Sequence, residues 1–198
     1  MDARFLSAFT DPAPVRMLGR IVYPFCLKHR VRLMAMGSPL MSSGNVSPQD
    51  YYVAVLTCAE EPIRPPGLID SWRLNELTEN PIKFTRELLR FSDYVMVQHW
   101  PKFWENNTKK GTAVHGIPWP MMVATNLIAS GIPEQRAWEM PECQAIWMNV
   151  AFAARKGVEV NVLSTEEEEL MDSIRLASQQ EVKTTDEPRN GIPAEGKE

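Results

Sequence analysis

Apolar and polar positions along this chain recur mostly at helical spacing, and the longest regular run lies near its middle. Phe84, Leu88, Phe91 and Val95 step by four, three and four residues, one face of an α-helix, and Leu89 and Met96 broaden the stripe. Asn80-Pro81 supplies a cap and a first-turn proline before it. Pro101 predicts its end or a kink, among Trp100, Phe103 and Trp104. Ser47-Pro48-Gln49-Asp50 is a strong start signal, with Ser as N-cap, Pro in the first turn and an acid at N3; the helix it opens runs to about Ala59. Pro24 opens a helix over 25–36, with Phe25, Cys26, Leu33 and Met36 as an apolar stripe and Lys28, Arg30 and Arg32 as a basic side. Gly37-Ser38-Pro39 ends it. Shorter helices are expected over 68–77, over 120–129, from Pro133 through Trp138, and from Pro141 to about Lys156, where Gly157 stops the last. Ser164-Thr165-Glu166-Glu167 opens another, with its acids where the helix dipole favours them.

The expected fold class is therefore all-α: an irregular bundle of five to seven helices with a disordered acidic C-terminal tail and essentially no sheet. Residues 1–23, broken by Pro12 and Pro14, read as a loose N-terminal arm. Residues 24–163 form the helical domain, 164–178 an acidic C-terminal helix, and 179–198 a tail too poor in apolar groups to order itself.

Charge sharpens that division. The formal net charge of the 198 residues is -4, but ten acids and four bases fall from Ser164 onward, so the body before it carries +2. Gly111–Pro133 is long enough to cross a bilayer and holds no Asp, Glu, Lys or Arg. Pro118, Pro120 and Pro133, with Gly116 and Gly131, would leave backbone groups unsatisfied in lipid, so it reads as loop plus buried helix and no membrane is expected. Phe5–Phe9 is too short an apolar run for a secretory leader. Three cysteines, Cys26, Cys58 and Cys143, each among apolar neighbours, read as reduced core thiols.

Candidate chemistry is thin. Cys26 and His29 form a C-x-x-H pair, but a structural zinc site needs a second pair and none follows. No Glu-x-x-His pair, thiol-hydrolase motif or Gly-rich phosphate loop is present, so no catalytic residue, cofactor or metal is expected. The basic side of the first long helix lacks a recognition-helix pattern, which favours a protein partner over nucleic acid. Eleven Met and six Trp stand out instead. Met adapts to varied apolar partners and Trp is enriched at interface hot spots. The partner-binding candidates are Trp119, Met121, Met122, Trp138, Met140 and Trp147, with Lys28 and Arg32.

Two stretches carry a resemblance. One is Pro24-Phe25 and Leu27 through His29 and Leu33, then Gly37-Ser38-Pro39-Leu40, then a helix ending in Leu56-Thr57-Cys58. The other is Pro118-Trp119, then Ser130-Gly131-Ile132, Ala137-Trp138 with Met140-Pro141, and Ala145-Ile146-Trp147 before Gly157. This order over about 25–163 resembles small all-helical proteins of tailed-bacteriophage structural modules, and most of all tail assembly chaperones. The resemblance implies a non-enzymatic protein of the infected host cytoplasm that binds the tape measure protein and helps tail tube assembly. Implied partners are the tape measure protein, tail tube or other virion subunits, and further copies of itself as an oligomer. The alternative is a neck, connector or capsid-associated component retained in the virion. The proline-rich 59–66 connector has no place on the family pattern.

Overall fold

Local start signals set the helices. In the computed structural model, which describes residues 3–10, 15–42, 44–96, 99–103, 116–164 and 166–173, the chain divides into two compact units, 1–162 and 163–198. The described part of the first unit contains α1 (Ala3–Ala8), α2 (Leu27–Ala35), α3 (Pro48–Cys58), α4 (Leu68–Glu79), α5 (Pro81–Val95), α6 (Trp119–Ala129), α7 (Glu134–Glu139) and α8 (Glu142–Arg155), with a 3-10 turn at Pro39–Met41. The Ser47 hydroxyl accepts from Asp50 N–H at 3.2 Å, and the Asp50 carboxylate accepts from Ser47 N–H at 2.9 Å, closing the expected capping box on α3. The Asn80 side chain accepts from Lys83 N–H at 3.0 Å at the start of α5.

The fold is mostly helical, and the expectation of essentially no sheet is corrected. Val15–Met17 (β1) and Arg20–Val22 (β2) pair antiparallel, with Val15 opposite Val22, Arg16 opposite Ile21 and Met17 opposite Arg20. Leu18 (φ 48) and Gly19 (φ 76) make the two-residue turn, both in the left-handed region such hairpins require. Met17 and Val22 are buried, so the hairpin is part of the core and not a loose arm. A second correction concerns α5, which ends at Val95 well before Pro101. Met96 takes a left-handed cap (φ 57, ψ 31) and its N–H bonds back to Asp93 O.

Two apolar clusters meet on α2. One joins the hairpin, α3 and α5: Met17, Val22, Phe25, Leu33, Tyr51, Val55, Phe91 and Tyr94. The other joins α6, α7 and α8: Leu27, Val123, Leu127, Ala137, Met140 and Ala145. Leu33 thus belongs to the first and Leu27 to the second, six residues apart on one helix. Between them in sequence is Arg30, expected on the basic side of the helix, which the chain instead buries. Its guanidinium donates from Nε and Nη2 to the two carboxylate oxygens of the fully buried Glu142, the latter bond 2.7 Å long. The rings of Phe25, Trp100 and Trp119 stand around the guanidinium carbon, their centres 5.2, 5.3 and 5.3 Å away.

In the second unit a helical segment covers 166–173. The Ser164 hydroxyl accepts from Glu167 N–H at 3.2 Å, and Ser164 N–H donates back to the Glu167 carboxylate at 2.8 Å, the capping start expected there. The rest of the expected 164–178 helix and the acidic tail over 179–198 lie outside the described residues.

Candidate interaction surface

Lys28 and Arg32 are four residues apart on α2 and so share a face, with Val31 beside them. Opposite stands α7, whose short run from Glu134 to Glu139 is released from α6 by Gly131 at φ 96. Together Lys28, Val31, Arg32, Glu134, Trp138 and Glu139 line a cleft of about 530 Å³. The structure therefore brings three of the eight sequence candidates, Lys28, Arg32 and Trp138, to one place.

The cleft is charged at its rim and apolar at its wall. Lys28 Nζ is 2.6 Å from Glu60 and 3.6 Å from Glu139, the second pair spanning α2 and α7. The hydrogen bond to Glu60 raises the Lys28 pKa, and the same bond lowers that of Glu60, so both stay ionised at neutral pH. Gln135 donates to Glu139 at 3.1 Å. Arg32 is exposed and makes no ion pair among the described residues, which leaves a cation facing solvent in the same cleft as the half-buried Trp138. On the same helical face, one turn after Arg32, comes the exposed Met36. Such a surface offers a flat aromatic wall to an apolar side chain and both signs of charge to its flanks.

The other candidates lie elsewhere. Met121 and Met122 are exposed on α6, outside the cleft. Met140 is buried in the second cluster, so its side chain is not on the surface. Trp119 is half-buried, its ring 5.4 Å from Trp100 and against Arg30. Trp147 donates its indole N–H to His99 O at 2.9 Å and meets Phe5 edge-on at 5.5 Å, which fastens α1 to α8. Glu134, Gln135 and Glu139 were not singled out from the sequence. Their signal was spacing: Glu134 is four residues before Trp138 on a predicted helix, hence beside it.

Buried polar chemistry near α2 is held in unreactive forms. His29 is buried with neither ring nitrogen hydrogen-bonded among the described residues, Nε2 lying 3.5 Å from Glu60 Oε1. Burial lowers its pKa to about 4, against a smaller upward pull from Glu60. Burial likewise raises the thiols of Cys26 and Cys143, and that of Cys58 to about 12. Among the described residues no group of three or more His, Cys, Asp or Glu side chains is placed to hold a metal ion. No described helix is long and apolar enough to cross a membrane. No family model, curated protein or solved structure matches this chain.

Proposed function

We propose that the chain is a tailed-bacteriophage tail assembly chaperone, which binds the tape measure protein in the host cytoplasm and releases it during tail tube assembly. The family resemblance over 25–163 suggests the identity of the client. The observation that carries the reading is the cleft between α2 and α7, whose lining combines Trp138 with the cation of Arg32 and the acids Glu134 and Glu139. An amphipathic client helix seats an apolar side chain against Trp138, while its own acids and bases meet Arg32 and Glu134. Met36 on the same face, and Met121 and Met122 on α6, add soft apolar surface that adjusts to different client residues. A chaperone for a long helical client needs this tolerance, because many segments must be covered by one surface.

The test is co-expression with a phage tape measure protein. The client should be soluble and captured with the chain, and Arg32→Glu should cut capture at least fivefold with an unchanged circular dichroism spectrum. Purified virions should lack the chain by mass spectrometry. A client equally soluble and uncaptured overturns the reading, and a stoichiometric amount in virions replaces it with a structural component.

A further inference from the structure

Helix α4 is apolar on two opposite sides. Leu74 and Leu77 face inward and are buried, and Asp70 on that side accepts two bonds from the Arg20 guanidinium, each 2.8 Å. Leu68, Ile69 and Trp72 point the other way and are 93, 67 and 66% exposed. Leu68 and Trp72 are one helical turn apart, and Ile69 flanks both, so the three form one patch. A helix apolar on both sides is ordinarily covered on both. Three large side chains left in water on one short surface mark a binding site more than a random exposure.

The surroundings of Trp72 state what covers it. Trp72 also lines a cleft of about 390 Å³ between α4, α5 and the hairpin, to which Arg16, Arg73, Lys83 and Arg90 contribute cations and Glu76 and Glu87 contribute acids. The two acids are already engaged. Glu76 pairs with Lys83, while Glu87 accepts from Tyr51 Oη at 3.0 Å and from Arg90 at 2.8 Å. Among the described residues Arg16 and Arg73 have no acid within ion-pair distance, although Arg73 is near enough to Asp70 to help lower its pKa. Arg73 instead donates to Leu18 O, which fixes its guanidinium over the hairpin turn. The patch is therefore bordered on one side by two cations without a salt bridge among the described residues, of which Arg73 is held by Leu18 O.

We propose that the outer face of α4 and this basic cleft together dock a helical protein segment with an apolar stripe and carboxylates along one edge. The stripe covers Leu68, Ile69 and Trp72, and the carboxylates reach Arg16 and Arg73. A membrane surface fits less well. α4 itself carries Asp70, Glu76 and Glu79 against Arg73, the reverse of a basic interfacial helix. Nucleic acid also fits poorly, because Leu68 and Ile69 offer nothing to a phosphate backbone. The surface shares no residue with the cleft between α2 and α7, so it stands independently of the chaperone reading.

The probes are two labelled 18-residue peptides with Leu at helical a and d positions, one flanked by Glu and the other by Lys, titrated into the full chain and followed by fluorescence anisotropy. The Glu peptide should bind at least tenfold more tightly than the Lys peptide. Leu68→Asp should weaken it at least tenfold without changing the thermal melt, since that side chain makes no part of the core. Arg16→Glu should remove most of the preference between the peptides. Equal binding of both peptides, no binding of either, or indifference to Leu68→Asp would overturn the proposal. Vesicles of phosphatidylglycerol should not bind the chain; vesicle binding lost in Leu68→Asp would replace the docked helix with a lipid surface.

Discussion

Arg30 and Glu142 form a two-bond ion pair across 112 residues of sequence, with the carboxylate fully buried and three aromatic rings around the guanidinium. It joins the helix shared by both apolar clusters to the first turn of α8. Removing one partner strands a charge in a dry site, so Glu142→Ala should cost about 3–5 kcal/mol. Replacing both, Arg30→Met with Glu142→Leu, should cost less than either single change, because no orphan charge remains and Met suits an aromatic surround. Urea denaturation of the three variants checks this, and a double variant less stable than both singles would contradict it.

Two buried groups give stability opposite pH slopes. His29 titrates near 4 in the folded chain against 6.5 when free. As pH falls below 6.5 the unfolded chain takes the proton first. Its contribution, on the order of 3 kcal/mol, is thus complete above 6.5 and lost toward pH 4. Burial raises Glu142 from 4.5 to about 7, even against the pull of Arg30. There the folded chain keeps its proton longer, so stability falls as pH rises from 4.5 to 7. The slopes oppose each other between pH 4.5 and 6.5. Melting temperature in His29→Gln should fall with rising pH across that window, and in Glu142→Gln it should rise. Parallel profiles for the two variants would refute the assignment.

The three thiols should be silent in the native state. Cys26, Cys58 and Cys143 are all buried, and burial raises each thiol pKa. A chromogenic disulfide reagent at pH 8 should label none of them within minutes, then all three on adding guanidinium. Fast native labelling of any one would show an accessible thiolate.

The hairpin turn should be more sensitive than its size suggests. A methyl group at Gly19 would be strained at φ +76 and would collide with the Arg73 guanidinium, displacing it from Leu18 O. At Gly37, φ +66, only the backbone strain applies, because nothing lies near the added carbon. Gly37→Ala should cost about 1–2 kcal/mol by that strain alone, and Gly19→Ala measurably more. Thermal melts that rank the two in the reverse order would sink the interlock.

What the sequence disclosed was local. Ser47 with Asp50 and Asn80 before Pro81 encode their helix starts within four residues, and both form as read. The β1–β2 hairpin has no clear sequence signal, because its strands are three residues long and Leu18, a poor left-handed residue, occupies the first turn position. Arg30 looked solvated because Lys28 and Arg32 flank it at even spacing, and its partner is remote in sequence. Lys28, Arg32 and Trp138 were each suspected by residue type. Their meeting depends on how α2 packs against α7, which no local pattern expresses.

The separation of Arg30 from Glu142 also fixes an order of events at the ribosome. At about 5–20 residues per second, Arg30 is made on the order of ten seconds before Glu142. Until then a closed body would enclose a guanidinium with no counter-charge, which disfavours closure around α2 before Glu142 is made. A chain stalled before α8 should therefore be cut by protease faster than the complete one.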